Sequence, residues 1–250
     1  MRILVFENDL NGHRIEYIHH LHLLAERMPE NQFYFVVPEQ FSESSREFEW
    51  TDCPNIYFDF FSDPVEVSPS KQSFVELIRI QHKISRKLNH YLSKFSIDRI
   101  FSIGAFDYFP FVPFFLRYRV KIDGIQYSML PWRERNIFFR YADYLKYFFY
   151  VLFPCFHIIF TLNDKASAEH LNKVFKTNKF KYLPDPYLPL SEENVTDVRK
   201  EFNIDESKTV FSHIGGMCYR KGTLSILLSI KNLSQEERAS SAFVFAGYCD

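Results

Sequence analysis

The chain has 250 residues, 46% hydrophobic and 24% charged, which is an ordinary composition for a globular protein with one large core or two smaller ones. Lys and Arg number 30 against 31 Asp and Glu, so no net positive charge favours nucleic-acid binding, and any phosphate contact must come from a local cluster. The 29 Phe and 15 Tyr indicate an aromatic-rich core, with aromatic surface left for a substrate, a partner or a lipid interface.

The N-terminal run RILVFE, at 2–7, favours a first strand over a signal peptide, because it is short and soon acidic. The four cysteines form no CxxC pair, which fits reduced thiols in the cytoplasm and favours neither a disulfide framework nor a zinc or redox centre. We therefore expect a cytoplasmic protein.

Strand-like segments rich in Val, Ile and Phe alternate with helical patterns along the chain. After 2–7, the predicted strands are 32–38, 55–61, 98–104, 119–125, 157–162 and 179–184. The first predicted helix, RIEYIHHLHLLAERM, carries an apolar stripe of Tyr17, Ile18, Leu21, Leu24, Ala25 and Met28. This alternation predicts an α/β fold, with a mainly parallel, doubly wound, Rossmann-like sheet that helices cover on both faces.

Three histidines of the first helix raise the question of a metal site. His19 and His22 lie one turn apart, and His20 stands between them. No nearby carboxylate or cysteine completes a tetrahedral ligand set, so the sequence predicts a polar helix face and no metal.

The longest apolar run, 144–162, approaches the roughly 20 residues of a membrane span. Lys146 lies near its start, Pro154 interrupts it, and β-branched residues gather only after His157. We therefore predict a buried helix that ends near Phe153, followed by a strand.

A second α/β unit is predicted near the C-terminus. The stretch LPDPYLPLSEEN, with three prolines and an acidic pair, indicates an extended connector, and KTVFSHIG, TLSILLSIKNL and SAFVFAG then indicate a strand, a helix and a strand. The predicted organisation is an N-terminal domain at 1–185, a linker at 186–204 and the beginning of a second Rossmann-like domain at 205–250.

Short motifs within this order of elements carry a family resemblance. They are Asn11-Gly12-His13 after the first strand, Leu183-Pro184-Asp185-Pro186 before the linker, Ile214-Gly215, Arg220-Lys221-Gly222, and the closing strand FVFAG. The chain resembles the GT-B glycosyltransferases, and more narrowly family 4, the glycosyl transferases group 1 type. The resemblance implies an acceptor domain at the N-terminus and a nucleotide-sugar domain that is truncated, because the family's paired glutamates have no counterpart here.

The stretch FSHIGGMCYRKGT is the predicted donor site. A strand that opens through glycines onto a helix N-terminus offers backbone N–H groups and a positive dipole end to a diphosphate. Gly215 and Gly216 permit close approach, while Arg220 and Lys221 can neutralise the leaving nucleoside diphosphate without a metal or cofactor. The family often has arginine at the position that Gly216 occupies.

Two loops are predicted to meet the acceptor. Gly12 permits a tight turn after the first strand, and His13 is either a general base or a helix-entry histidine without chemistry. In the loop IDGIQYSMLPWRERN, Asp123 is a second candidate catalytic residue, and Asp123 and Gln126 could contact acceptor or sugar hydroxyls. Trp132 could stack on a sugar ring and Arg133 could meet a lipid-linked diphosphate, unless the loop is only a lid over the core.

The predicted function is transfer of a sugar from a nucleotide-sugar donor to a glycan acceptor, lipid-linked or not, in bacterial cell-surface polysaccharide synthesis. Cations among aromatics suit peripheral contact with the inner membrane face: Arg117, Arg119, Lys121, Arg133, Arg135 and Arg140. By analogy with the family we expect a retaining enzyme. The alternatives are a non-catalytic remnant or interaction module that keeps the acceptor fold, and a sugar-nucleotide epimerase on the same architecture.

Overall fold

Strands and helices alternate along the whole chain and divide it into two α/β units, Met1–Pro186 and Tyr187–Asp250. The computed structural model describes residues 1–10, 13–46, 48–65, 74–104, 111–126, 137–186 and 197–247. Each unit contains its own parallel sheet.

The sheet of the first unit has seven strands, all parallel to their neighbours. They are β1 (Arg2–Phe6), β2 (Gln32–Pro38), β3 (Ile56–Phe61), β4 (Arg99–Ile103), β5 (Lys121–Gln126), β6 (Phe156–Leu162) and β7 (Phe180–Leu183). Their order across the sheet is β3-β2-β1-β4-β5-β6-β7. The seven predicted strands and the α/β class are confirmed.

The sheet is buried on both faces, as the apolar character of its strands requires. Along β1, Leu4 and Phe6 belong to one hydrophobic cluster, while Ile3 and Val5 belong to another. Successive side chains of a strand point to opposite faces, so a strand that is apolar at every position needs a cover on each side. This arrangement is the doubly wound sheet that the sequence predicts.

Six helices in the described part of this unit provide the two covers. They are α1 (Arg14–Glu26), α2 (Phe41–Ser44), α3 (Phe74–Phe95), α4 (Val112–Phe115), α5 (Ile137–Leu152) and α6 (Lys165–Phe175). Ile18 of α1 and Phe41 of α2 pack on one face of the sheet. Leu88 of α3, Tyr150 of α5 and Leu171 of α6 pack on the other.

Helix α1 buries the predicted apolar stripe except at Leu24: Tyr17, Ile18 and Ala25 lie in the core, and Leu21 and Met28 pack against it. Leu24 is 48% exposed, whereas His19 and His22 are buried. Both imidazole rings pack against Trp50, with ring centroids 5.1 Å apart in each case, and Phe48 lies 4.8 Å from His19. The predicted apolar stripe is therefore confirmed except at Leu24, whereas the prediction of a polar histidine face is wrong at His19 and His22. The segment after α2 supplies an aromatic wall, and the helical period alone does not reveal it.

The apolar run 144–162 forms a helix and a strand, as predicted. Helix α5 ends at Leu152, and β6 begins at Phe156 after Pro154. No helix in the described parts of the chain is both long and apolar enough to cross a bilayer.

A half-buried lysine caps the C-terminal end of α5. Lys179 Nζ donates to three main-chain carbonyl oxygens at 3.0–3.1 Å, those of Tyr150, Val151 and Phe153. The last carbonyls of a helix lack intrahelical partners and carry the negative end of the helix dipole, which a cation stabilises. Burial lowers the pKa of Lys179, so the ammonium group depends on these three acceptors for its solvation.

The second unit contains a two-stranded parallel sheet. Its described elements are α7 (Val198–Glu201), β8 (Thr209–Ile214), a 3₁₀ turn (Tyr219–Lys221), α8 (Thr223–Lys231), α9 (Gln235–Ala239) and β9 (Ser241–Ala246). The two strands pair in parallel from Thr209–Ser241 to Ile214–Ala246. The predicted strand, helix and strand are thus all present.

We predict that Lys179→Met destabilises the first unit by about 1–3 kcal/mol, because it leaves three helix-end carbonyls without their charged donor. Urea denaturation followed by circular dichroism measures the loss. Lys181→Met is the matched control, since this lysine lies two residues further on and its side chain is exposed. Equal destabilisation by both variants would contradict the capping role.

Candidate functional site

The order of the strands reverses between β1 and β4. The chain leaves β1 toward β2 on one side of the sheet, while β4 lies on the other side. In an open parallel sheet, ligands bind outside the carboxyl ends of the strands at such a switch point. Three residues mark this edge of the sheet: Glu7 after β1, Gly104 after β4, and Gln126 at the end of β5.

A buried ion pair organises the edge. Glu7 is fully buried, and its Oε1 accepts hydrogen bonds from the main-chain N–H groups of Asn8, at 2.8 Å, and Asp9, at 2.9 Å. The same oxygen lies 2.5 Å from Nη1 of Arg14, the first residue of α1. Arg14 Nη1 also lies 3.4 Å from the carbonyl oxygen of Ile103 at the end of β4. One carboxylate and one guanidinium therefore join β1, its loop, α1 and β4.

The surroundings of Glu7 change its acidity. Burial raises its pKa to about 7, against the opposing attraction of Arg14 and the hydrogen bonds from the loop. Its second oxygen, Oε2, has no hydrogen-bond partner within the described ranges. The group can therefore gain or lose a proton near neutral pH, which is unusual for a carboxyl group and common at functional sites.

Asn8 ties the same loop to the segment that follows β3. Its Nδ2 donates to the carbonyl oxygen of Val65 at 2.7 Å, and its Oδ1 accepts from the N–H of Val65 at 2.8 Å. This two-bond pairing imitates a strand ladder and is buried. It fixes the β1–α1 loop on the side opposite to Arg14.

Asp185, which follows β7, is held by two other elements of this unit. Its carboxylate accepts hydrogen bonds from the hydroxyl of Tyr17 in α1 and, at 3.0 Å, from Asn163 Nδ2. Asn163 Oδ1 in turn accepts from the N–H of Asp185 at 2.8 Å. The LPDP stretch singled out in the sequence thus anchors the chain at the point where it leaves the first unit.

His13 lies at the entrance to α1 with its side chain open to solvent. Its side chain is 82% exposed, and Nδ1 lies 3.0 Å from Glu16 Oε2. A carboxylate at this distance can orient the imidazole and leave Nε2 available for a substrate. Gly12, predicted beside it, lies outside the described residues.

The structure separates Asp123 from the other predicted acceptor residues. Gln126 is buried at the carboxyl end of β5, but Asp123 is the third residue of that strand and lies inside the sheet. Its carboxylate accepts from His157 Nδ1 at 2.9 Å and from the N–H of Ile158 at 2.8 Å, and it lies 3.1 Å from Arg99 Nη1.

The prediction that Asp123 belongs to the loop is therefore wrong. The register of β5 and β6 shifts between Ile122 and Gly124, and the carboxylate of Asp123 satisfies the polar groups that this irregularity leaves. Trp132 and Arg133 lie outside the described residues.

The predicted donor turn has the expected backbone. Gly215 follows β8 with φ 110°, and its N–H donates to the carbonyl oxygen of Ala246 at 2.8 Å. A Cβ on Gly247 would come 2.0 Å from the carbonyl oxygen of Gly215, so the ends of β8 and β9 approach closely only because glycine is present. The backbone of Gly216 is buried after this turn.

The turn leads to a helix N-terminus without a side-chain cap. Lys221 closes the 3₁₀ turn with an exposed side chain, Gly222 takes φ 75°, and α8 begins at Thr223. Arg220 lies in the same 3₁₀ turn, and its side chain is outside the described part. His213 Nε2 lies 3.1 Å from Thr223 Oγ1, a contact that the sequence analysis missed.

No group of three or more His, Cys, Asp or Glu side chains within the described ranges is placed to hold a metal ion. His19 Nε2 lies 3.1 Å from the carbonyl oxygen of Glu49, and burial lowers the pKa of His22. The histidines of α1 therefore act in packing.

Several solved structures share the fold. MnaA of S. aureus, solved with UDP, gives a TM-score of 0.58 at 11% identity over 99% of this chain and 61% of that protein. A Listeria monocytogenes protein described as a UDP-N-acetylglucosamine 2-epimerase gives 0.53 at 12% identity over 98% and 61%. A glycosyltransferase from Rickettsia africae ESF-5 gives 0.53 at 8% identity over 98% and 68%.

This chain spans 61% of the length of the first two of these proteins. No protein-family model and no curated protein matches its sequence. At such low identities the likeness establishes the fold alone, an α/β, Rossmann-like fold of the kind found in GT-B proteins.

We predict that stability falls as the pH rises from about 5 to about 8. Burial raises the pKa of Glu7 from 4.5 to about 7, so in this window the folded protein keeps a proton that the unfolded chain has released. The free energy of unfolding then decreases with pH, by about 3 kcal/mol for this group. The variant Glu7→Gln has no carboxyl group at this position, so it should lack this pH dependence of stability.

Urea midpoints at both pH values test this prediction. The difference between the two pH values should shrink in Glu7→Gln and keep its wild-type size in Glu43→Gln, a control at an exposed glutamate of α2. An unchanged difference in Glu7→Gln would show that Glu7 stays ionised beside Arg14 throughout.

Proposed function

We propose that this protein is a glycosyltransferase that moves a sugar from a nucleotide-sugar donor to a glycan acceptor. The observation that carries the proposal is the turn from Gly215 to Thr223, in which a glycine-closed strand end leads to an uncapped helix N-terminus beside a lysine. The shared fold with a Rickettsia glycosyltransferase and with a protein solved with UDP supports it.

The donor side of the reaction requires stabilisation of a leaving nucleoside diphosphate. The first N–H groups of α8 have no side-chain cap, and the glycines at 215 and 216 leave room for phosphate oxygens. Lys221 and Arg220 supply positive charge as the sugar–phosphate bond breaks. Glycosyltransferase family 4, which the chain resembles, often has arginine at the position of Gly216. In this chain Lys221 and Arg220 would therefore neutralise the diphosphate. The proposed reaction uses no metal or cofactor.

The acceptor is proposed to bind at the switch point of the first unit. His13 is exposed there and oriented by Glu16, while Gln126 ends the neighbouring strand β5. Gly12, Trp132 and Arg133 complete the proposed acceptor set. The pair of Glu7 and Arg14 has a different part in this proposal: Glu7 binds Arg14 and the N–H groups of Asn8 and Asp9, and so holds the loop in shape.

The finer features of the proposal come from the resemblance to family 4. They are retention of anomeric configuration, with the leaving phosphate helping to deprotonate the acceptor, and a role in cell-surface polysaccharide synthesis. A lipid-linked acceptor places the work in the cytoplasm, at the inner face of the membrane. The donor sugar and its nucleotide stay open.

An epimerase is the second candidate, because a protein described as a UDP-N-acetylglucosamine 2-epimerase shares the fold. The products separate the two activities: a transferase releases nucleoside diphosphate and lengthens an acceptor, whereas an epimerase returns an altered nucleotide sugar. A non-catalytic interaction module, the third possibility, would show neither.

We predict that Lys221→Met weakens the binding of UDP about tenfold to a hundredfold, the cost of one charge-assisted phosphate contact. Isothermal titration calorimetry of the intact chain with UDP measures the affinity. Lys231→Met, at the opposite end of α8, is the matched control and should bind as the wild type does. Equal affinity in all three proteins would contradict the proposed donor site.

For His13 the expected result depends on its role. If His13 takes the acceptor proton, His13→Asn lowers kcat about a hundredfold; if it only hydrogen-bonds the acceptor, KM rises and kcat stays. Nucleoside diphosphate release with a glycan acceptor measures both constants. His90→Asn, an exposed histidine of α3, is the control. Wild-type constants in His13→Asn would remove this residue from the acceptor site.

A further inference from the structure

The amino ends of the strands in the first unit form a surface that the proposed chemistry does not use. A groove of about 970 Å³ opens there, between the residues that precede β5 and those that precede β6. Its lining includes Arg99, Arg117, Arg119 and Lys121. This amino-edge groove lies at the opposite end of the strands from the switch point.

Three of these cations have no charged partner among the described residues. Arg99 pairs with Asp123, and Asp98, the carboxylate in the lining, accepts from the N–H of Arg2. No ion pair joins Arg117, Arg119 or Lys121 to a carboxylate in the described part of the chain. Three positive charges therefore lie within five residues of one another, and no described carboxylate pairs with them.

A second, smaller groove extends the positive surface. Its volume is about 310 Å³, and it shares Pro154 with the first groove. Lys181 and Lys179 line it together with His157. Lys179 is held by the helix-end carbonyls, but Lys181 is exposed. The basic character thus continues along the amino edge toward β7.

Exposed apolar side chains adjoin the cations. Phe114 is 62% exposed, and its ring packs on Phe153 of the groove with centroids 4.8 Å apart. Helix α5 reaches the groove at Leu152, which is 53% exposed. Along this helix the exposed apolar residues recur at spacings of three and four positions, so they lie on one side. They are Tyr141, Leu145, Phe148 and Leu152.

We propose that this surface docks on a bilayer that contains anionic lipid, with α5 along the interface and the three unpaired cations against the headgroups. Apolar side chains on one side of a helix, next to a cluster of Lys and Arg, suit a membrane surface, which offers hydrocarbon and negative charge together. A soluble anion or a nucleic acid would use the cations but leave the apolar stripe of α5 in water. Arg133 and Arg135 lie outside the described residues and carry none of this inference.

The placement also brings the acceptor site to the membrane. Helix α5 lies between β5, which ends at the carboxyl edge, and β6, which begins at the amino edge. A bilayer in contact with the whole stripe therefore reaches from the basic groove toward the switch point. In this respect the inference rests on the proposed function, since it gives a membrane-bound acceptor a path to the site.

Vesicle co-sedimentation tests the docking surface. The intact chain should bind vesicles of phosphatidylcholine with phosphatidylglycerol, release them as salt is added, and bind pure phosphatidylcholine far more weakly. The variant Arg117→Ala/Arg119→Ala/Lys121→Ala should bind the anionic vesicles about a hundredfold more weakly. Leu145→Ser/Leu152→Ser should weaken binding at least about tenfold, because both side chains enter the interface.

The matched control is Arg79→Ala/Lys83→Ala/Arg86→Ala, which removes the same charge from exposed positions of α3. It should bind as the wild type does, and equal loss in both triple variants would overturn the proposal. If the leucine variant binds vesicles as the wild type does, and soluble pyrophosphate or duplex DNA displaces the protein from them, the surface is an anion or nucleic-acid site instead. Circular dichroism of each variant verifies that it is folded.

The titration with UDP, made without vesicles, separates this inference from the proposed function. UDP binding without vesicle binding overturns the docking surface alone. Vesicle binding without UDP binding contradicts a UDP-binding donor site at Gly215–Thr223 and leaves the docking surface standing.

Discussion

The parallel sheet of the first unit governs the rest of its structure. Its seven strands are hydrogen-bonded in parallel, and their crossovers place helices on both faces, so nearly every strand side chain has to be apolar. Polar chemistry is then confined to the two edges where the strands begin and end. The carboxyl edge contains the buried pair of Glu7 and Arg14, and the amino edge contains the cations around the groove.

Charged groups inside this unit occur where the backbone is irregular. Glu7 binds the N–H groups of a loop, Asp123 fills a shift in strand register, and Lys179 binds the carbonyls at the end of a helix. Glu7 and Asp123 are buried and Lys179 is half-buried, and each is tolerated because it satisfies backbone groups that have no ladder or helix partner. These three residues explain how an aromatic-rich core accommodates ionised side chains.

The second unit depends on the close approach of its two strand ends. Its two strands end in Gly215 and Gly247, whose backbones approach too closely for any side chain at Gly247. The turn that follows exposes a helix N-terminus, and that geometry supports the donor role in the proposed transferase. In the two proposals, the carboxyl edge of the first unit's sheet binds the acceptor, and the amino edge contacts the membrane.

The sequence by itself determined the order of the elements. Runs such as 32–38 and 157–162 are apolar at most positions, and only a strand buried on both faces uses such a run, so all nine predicted strands were found. The glycine turn at 215–223 could also be predicted from local sequence, because positive φ values require residues that tolerate them.

Contacts between distant segments were decided by the tertiary structure alone. The aromatic wall around Trp50 buried His19 and His22, the register shift drew Asp123 into the sheet, and packing joined Glu7 to Arg14, because periodicity within one element carries no information about what packs against it.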